Sequence, residues 1–314
     1  MKKYLITAVI AAAFAIACLA GCVASDNPGT SSASSDANAG SSSAKLKVVA
    51  SFYPMADFAQ KIGGNRVEVT NLVPAGTEPH DWEPSTADMQ TLEAANVFVY
   101  NGAGMEQWAD KVLSTLSNKN LVTVKASEGV ELHKAADAEE GEYDPHVWLS
   151  PKNAKIEMKN ICDALVSADP SGKDTYEANY QTYAAQLDAL DKEYQEGLSG
   201  LPNKSIVVSH QAFGYLCSDY GLEQVAIEGL DAEAEPDAKT MAEIVDFAKK
   251  NNVKVIFSED LVSPKVAEQI ASETGATCEV LNPLEGLTDE QLSQGADYFS
   301  VMRDNLAKLE EALK

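Results

Sequence analysis

Residues 152–198 read KNAKIEMKNICDALVSADPSGKDTYEANYQTYAAQLDALDKEYQEGL, a long segment without a β-strand pattern. The preceding Ser150-Pro151 is typical of a helix start, with an N-cap serine and proline at the first helical position. We predict that a first helix ends near Ser167, because Asp169-Pro170-Ser171-Gly172 breaks it. We predict a second helix from about Asp174 to Leu198, about 37 Å long at 1.5 Å per residue.

The second predicted helix has one apolar face. Its larger apolar and aromatic residues recur every three or four positions, which is the spacing of a single helical face. They are Tyr176, Tyr180, Tyr183, Leu187, Leu190 and Tyr194. A continuous helix of this length resists bending more than a pair of extended linkers would, so we expect it to act as a rigid spine.

Short apolar runs rich in β-branched residues lie on both sides of this helical segment and alternate with helix-period segments. The runs are Leu46–Ala50, Val67–Leu72, Val97–Tyr100 and Leu121–Val124 before it, and Ser205–Ser209, Gln224–Ile227, Val253–Phe257 and Thr277–Leu281 after it. Alternating strands and helices predict parallel sheets covered by helices. The predicted fold class is therefore α/β, with two lobes, each a mostly parallel four-stranded sheet flanked by helices. We place the N-terminal lobe at 45–168, the linking backbone helix at 169–200 and the C-terminal lobe at 201–314.

The N-terminus has the pattern of an export signal. Two lysines precede an apolar run from about Leu5 to Ala20, which is too short for a membrane span and ends in small residues. Leu19-Ala20-Gly21-Cys22 resembles the lipobox of bacterial lipoproteins, which implies a signal peptide at 1–21, a lipid on Cys22 and an extracytoplasmic location. A plain signal peptide with a chance cysteine is the alternative. Residues 22–44, mostly Ser, Ala, Asn, Gly and Asp, predict a flexible tether.

The overall charge excludes nucleic-acid binding. The 314 residues include 48 acidic and 24 basic ones, a net charge of −24, whereas nucleic acid requires a basic surface. Cys162, Cys217 and Cys278 remain beyond the signal region, so at most one internal disulfide is possible. We favour three free, buried thiols over a Cys217–Cys278 bridge, and the absence of CxxC spacing argues against a thiolate metal site.

Three of the four histidines lie in connections between predicted elements. His80 is in a turn-rich loop, His146 precedes the Ser150-Pro151 helix start, and His210 directly follows a strand. Ligand sites of parallel sheets lie beyond the carboxyl ends of the strands, so these histidines are candidate metal ligands. They are too far apart in sequence for a zinc finger or an HExxH helix, and spacing alone does not assign them.

Six stretches resemble the metal-binding solute-binding lipoproteins of ABC importers, the zinc/manganese group that includes zinc-uptake and laminin-binding lipoproteins. They are Ser51–Pro54, Gly76–Pro84, Asp144–Pro151, His210–Leu216, Ile256–Glu259 and Asn282–Glu285. The resemblance extends from about Lys47 to the C-terminus. It implies one metal ion between the lobes, held by His80 and His146 from the first lobe and by His210 and Glu285 from the second.

This ligand set favours Zn²⁺ as the transported ion. Three imidazoles and one carboxylate suit tetrahedral zinc, whereas Mn²⁺ prefers more oxygen donors. The resemblance therefore implies a monomeric, non-enzymatic protein that captures zinc outside the cell and delivers it to an ABC importer permease. The alternatives are a manganese-binding member of the group, a lipoprotein adhesin with a structural zinc site, and a zinc hydrolase. A fourth protein ligand argues against hydrolysis, since catalytic zinc keeps an open position for water.

Several nearby residues have two interpretations. Glu259 rivals Glu285 as a ligand, and the resemblance assigns it an outer or structural role instead. His133 lies in the acidic stretch Glu131–Tyr143, which is either a solvated loop or an accessory zinc-collecting loop. Trp82 and Trp148 each follow a proposed ligand by two residues and either shield the site from water or simply pack. We expect the backbone helix to limit any closure to a small tilt or a reordering of loops.

Overall fold

The computed structural model describes residues 44–135, 141–234 and 236–314. The predicted signal peptide, Cys22 and nearly all of the tether lie outside these residues. Ala44–Lys314 folds as one compact unit. Across the described residues, the helices all lack the combination of length and apolar character needed to cross a bilayer.

The first half of the described chain forms a four-stranded parallel sheet. Its strands are arranged in the order β2-β1-β3-β4, with every pair parallel. The elements are β1 Leu46–Ala50, α1 Tyr53–Gly63, β2 Val67–Asn71, α2 Thr86–Glu93, β3 Val97–Tyr100, α3 Ala109–Thr115 and β4 Val122–Lys125. The central strand β3 is nearly fully buried, and so are the last three residues of β1, Val48–Ala50, which agrees with the apolar sequence of both stretches.

Two helices follow, α4 at Pro151–Ala168 and α5 at Lys173–Leu198. Ser150 caps α4 by accepting a hydrogen bond from the Asn153 backbone N–H at 3.2 Å, and Pro151 occupies the first turn. The chain turns between the helices in a short 3₁₀ segment, Pro170–Gly172. The predicted helix boundaries are thus confirmed to within one residue.

The buried face of α5 is the one that the spacing predicted. Tyr176, Leu187, Leu190 and Tyr194 have at most 1% of their surface exposed, while Tyr180 and Tyr183 are partly buried against the same core. Burying a leucine side chain contributes about 1.5–3 kcal/mol, so this face supplies much of what holds the helix in place. It packs against α1 and α4 from the first half of the chain and also against the C-terminal helix.

The second half repeats the arrangement with the strand order β6-β5-β7-β8, again entirely parallel. The elements are β5 Ser205–Val208, α6 Gly214–Tyr220, β6 Glu223–Ala226, α7 Ala238–Lys250, β7 Val255–Ser258, α8 Lys265–Thr274, β8 Thr277–Val280, α9 Asp289–Ser293 and α10 Tyr298–Ala312. The predicted α/β class with two four-stranded sheets and a long helix between them is confirmed. The lobe boundaries at 45–168, 169–200 and 201–314 stay a prediction.

One hydrophobic core connects the two sheets. It contains Val48 and Val99 of the first sheet, Val208 and Phe257 of the second, and the inner faces of α4, α5 and α10. Because the same core packs against both sheets, a wide separation of the two halves would expose apolar surface at a cost of about 25 cal/mol per Å².

The cysteines of the described region are free thiols. Cys162 and Cys217 are buried and Cys278 is half-buried. Burial raises the pKa of Cys162 to about 11 and that of Cys217 to about 12, so both are protonated and unreactive at neutral pH. The interpretation of the three cysteines as free packing residues agrees with this, but Cys278 is only half-buried against the core and not buried as predicted.

Candidate metal centre

The carboxyl ends of strands from both sheets point toward one place. His80 lies in the loop after β2 and His146 in the segment after β4, while His210 comes two residues after β5 and Glu285 follows β8. Parallel strands end at the same edge of a sheet, so loops distant in sequence meet there. One ligand atom from each of these four residues lies within 4.8 Å of the other three, a grouping that can hold a metal ion.

The four ligand atoms have nearly tetrahedral spacing. The Oε1 atom of Glu285 lies 3.1 Å from Nε2 of His80 and 2.9 Å from Nε2 of His146. Its distance to Nε2 of His210 is 3.2 Å. The Nε2 atom of His146 lies 3.2 Å from Nε2 of each of the other two histidines. Donors at about 2.0–2.1 Å from a tetrahedral zinc ion are about 3.3 Å apart, so the cluster is only slightly tighter than a zinc coordination shell.

His146 is held from its outer side by Asp144. The Oδ1 atom of Asp144 lies 2.8 Å from Nδ1 of His146 and also accepts the backbone N–H of His146 at 2.9 Å. Both residues are buried. A proton on Nδ1 that is donated to the carboxylate leaves the Nε2 lone pair free to face the centre of the cluster.

His210 is held in the same way by Glu259. Its Nδ1 lies 2.5 Å from Oε1 of Glu259, which also accepts the His210 backbone N–H at 3.2 Å. Glu259, the other candidate for the fourth ligand, thus contacts Nδ1 of His210, on the side away from the cluster. Glu285 is the carboxylate that lies among the three Nε2 atoms. Two carboxylates that each fix a buried imidazole are the outer partners that metal-binding histidines usually have.

His80 is the most accessible member of the cluster. Its side chain is 13% exposed, whereas those of the other three members are at most 1% exposed. Both carboxylate oxygens of Glu78 lie 3.0 Å from its backbone nitrogen, and Gly76 in the same loop donates a hydrogen bond to the carbonyl of Leu287 at 3.1 Å. Gly76 has φ +74°, a conformation that glycine adopts without strain. The His80 loop is therefore tied to the Glu285 segment by backbone contact.

Glu285 is positioned by a network of amide side chains. The backbone N–H of Leu284 donates to Oδ1 of Asn282 at 2.6 Å, and the buried Asn305 of α10 bonds both the N–H and the carbonyl of Asn282. Leu284 itself has φ +59°, which is unfavourable for a residue with a branched side chain. The indole N–H of Trp148 donates to the carbonyl of Pro283 at 2.8 Å. These bonds hold a strained turn that directs Glu285 toward the histidines.

The cluster stabilises opposite charges on its members. Burial lowers the pKa of His210, but the charges of Glu259 and Glu285 outweigh it and raise that pKa well above its usual value. Burial likewise lowers the pKa of His146, and hydrogen bonds to Asp144 and Glu285 raise it overall. Burial raises the pKa of Glu285, yet the histidines hold it well below the usual range. A divalent cation entering the cluster therefore competes with protons on the imidazoles.

The remaining residues singled out from the sequence lie around the cluster. His133 is outside it and stacks on Tyr215, with ring centroids 4.1 Å apart. Trp148 is fully buried with its ring 5.3 Å from that of His146, and Trp82 packs edge to face on Trp108. Sequence analysis did not assign Asp144 a role, although an acid two residues before a candidate histidine is a usable signal. Residues 136–140 of the acidic stretch lie outside the described residues.

Comparisons with known proteins agree with this geometry. Residues 48–312 match the family described as zinc-uptake complex component A, periplasmic. The high-affinity zinc uptake system protein ZnuA of Bacillus subtilis is 39% identical, covering 99% of this chain and 98% of the relative. The zinc-binding lipoprotein AdcA of Streptococcus pneumoniae is 42% identical over 85% of this chain, which spans only 56% of that longer relative.

Solved structures show the same fold. The Zn(II)-bound ZnuA-like domain of Streptococcus pneumoniae AdcA has a TM-score of 0.76 at 42% identity, covering 86% of this chain and 99% of that domain. The laminin-binding protein Lmb of Streptococcus agalactiae has a TM-score of 0.78 at 34% identity, covering 86% of this chain and 100% of Lmb. Lmb is described as a bifunctional protein with adhesin and metal transporting activity. The chain therefore belongs to the zinc-uptake complex component A family of solute-binding proteins.

Proposed function

We propose that this protein captures Zn²⁺ outside the cell at His80, His146, His210 and Glu285 and delivers it to the permease of an ABC-type importer. The observation that carries the proposal is the set of three imidazole nitrogens and one carboxylate oxygen, in which five of the six separations are 2.9–3.2 Å, close to tetrahedral spacing. Nitrogen-rich, four-coordinate sites favour zinc over manganese, which takes more oxygen ligands.

Four protein ligands suit transport better than catalysis. A catalytic zinc ion keeps an open position for water, whereas Glu285 would close the shell. The buried carboxylates Asp144 and Glu259 orient two of the imidazoles in advance, so little reorganisation accompanies binding. The laminin-binding adhesin role, which is stated for a relative, stays a prediction for this chain.

Release and access depend on the most exposed ligand. His80 lies on a surface loop and is partly exposed, while His146, His210 and Glu285 are buried. We infer that zinc enters and leaves by displacement of the His80 loop, with the sheets and α5 fixed. We also propose that a lipid on Cys22 anchors the protein to the membrane and that the protein is a monomer.

Elemental analysis of the purified chain tests the assignment. We expect one equivalent of zinc in the wild type and its loss in His210→Ala. His133→Ala is the matched control, since His133 stacks on Tyr215 outside the cluster, and it should retain the full equivalent. Full zinc occupancy in His210→Ala, after removal of loosely bound metal, would contradict the proposed site.

The lipid anchor requires a separate test. Incorporation of labelled fatty acid into the expressed chain should be abolished by Cys22→Ala and unaffected by Cys162→Ala. Labelling that persists in Cys22→Ala would exclude Cys22 as the attachment point.

A further inference from the structure

A cavity of about 500 Å³ opens beside the metal cluster, with His80 in its wall. This volume is within the range of about 300–1,000 Å³ that is usual for small-molecule sites. It is far larger than a single zinc ion needs. The cavity therefore offers space for a ligand of zinc as well as for the ion.

The walls of the cavity combine aromatic and charged groups. Trp82 and Trp108 line it with their rings 5.6 Å apart and inclined at 67°. Lys111 of α3 also lines the cavity, and its ammonium group forms no ion pair with the described residues. Asp81 and Glu83 contribute exposed carboxylates on the His80 loop. Aromatic faces with a free ammonium group suit a ligand that has a flat ring and a carboxylate.

We propose that this cavity accepts zinc as a one-to-one complex with an amino acid that has an imidazole or another aromatic side chain. The inference rests on the proposed zinc-capture function and names the form in which zinc arrives. The amino-acid carboxylate pairs with Lys111, and its ring packs against Trp82 and Trp108. The complex with a singly deprotonated amino acid has a charge of +1, which the carboxylates of Asp81 and Glu83 attract.

The accessibility of His80 makes the transfer possible. Zinc in such a complex keeps a coordination position that water occupies, and the imidazole of His80 replaces that water. The three buried ligands then replace the donor atoms of the amino acid, which takes up a proton and leaves through the cavity. His146, His210 and Glu285 are at most 1% exposed, so His80 is the cluster member that a complex in the cavity can reach first.

Zinc transfer to the metal-free full chain, purified in detergent, tests the inference. The rate of zinc binding is measured by stopped flow at a constant concentration of free zinc. Raising the concentration of L-histidine then raises the concentration of the zinc–histidine complex while free zinc stays the same. We expect uptake by the wild type to accelerate and then saturate. In Lys111→Met the acceleration should be about two- to fivefold smaller, as expected for loss of an exposed ion pair. Lys249→Met on α7 removes the same charge away from the cavity and should behave as the wild type.

Glycine, which chelates zinc but has no side chain to pack on the tryptophans, should give a smaller acceleration than histidine. Equal acceleration by glycine overturns the assignment to an aromatic amino acid. Uptake that follows free zinc alone, or that is the same in Lys111→Met, overturns the inference and leaves zinc capture intact. Failure of every variant to bind zinc at equilibrium overturns both the inference and the proposed function.

Discussion

Removing the carboxylate of Glu259 should weaken zinc binding although Glu259 does not face the cluster. Its Oε1 accepts both the Nδ1–H and the backbone N–H of His210. Loss of a hydrogen bond to a charged group costs about 1.5–3 kcal/mol, so Glu259→Ala should weaken zinc affinity by about 10–100-fold. Glu259→Gln keeps an oxygen that can accept both bonds and removes only the charge, so we expect a loss of about 3–10-fold.

The pH dependence of this loss separates an effect on His210 from a general structural effect. The charge of Glu259 raises the pKa of His210, which makes protons stronger competitors of zinc in the wild type. Removing that charge lowers the pKa, so the affinity loss in Glu259→Gln should be smaller at pH 6 than at pH 8. Competition with a zinc-binding dye measures both values, with the exposed Glu268→Gln as control. Wild-type affinity in Glu259→Ala would refute the reasoning.

Three further predictions concern stability and shape. Burial and the charge of Glu259 raise the pKa of Glu228 to about 7, above its unfolded value, so the metal-free protein loses stability as pH rises through 7. Glu228→Gln should therefore be more stable than the wild type by about 1–2 kcal/mol at pH 8, a gain reduced because Glu228 is partly exposed, and equally stable at pH 4. Urea unfolding at both pH values measures this. The same gain at both pH values, or an equal gain in the exposed Glu131→Gln, would contradict the prediction. Tyr194→Phe should lower the free energy of unfolding by about 1 kcal/mol in the same assay, because the Tyr194 hydroxyl donates a hydrogen bond to the buried carbonyl of Met302 at 2.6 Å. An unchanged unfolding midpoint would contradict this. Small-angle scattering should show nearly equal radii for the metal-free and zinc-bound forms, since both sheets share one core, and a large change of radius would exclude loop displacement as the access step.

The helical spine could be predicted from sequence because its signals are local. The Ser150 cap, the break at Asp169-Pro170 and the regular aromatic face of α5 each act within a few residues, and both helix boundaries were found to within one residue. The strands were located but shifted by up to two residues, since strand ends depend on the partner strand. Sequence analysis did not single out α9 or α10, although α10 has local signals: Asp297 caps its first turn, and its buried apolar residues recur at helical spacing.

The metal cluster was predicted only with the help of the family resemblance. Glu259 and Glu285 both follow strands of the second sheet, and no local pattern distinguishes an acid facing the cluster from one behind it. The distinction arises from the strained turn at Leu284, which directs Glu285 inward, and from the nearness of Glu259 to His210. The role of Asp144 was missed although its place two residues before His146 is a usable signal, and the bond itself depends on the turn of the backbone between them.

X-ray absorption at the zinc edge of the loaded protein tests the central claim most directly, because it reports the atoms bound to the ion. Three imidazole nitrogens and one carboxylate oxygen, four-coordinate at about 2.0–2.1 Å, are the predicted result. Sulfur among the bound atoms, or a six-coordinate shell dominated by oxygen, would contradict capture of zinc by His80, His146, His210 and Glu285.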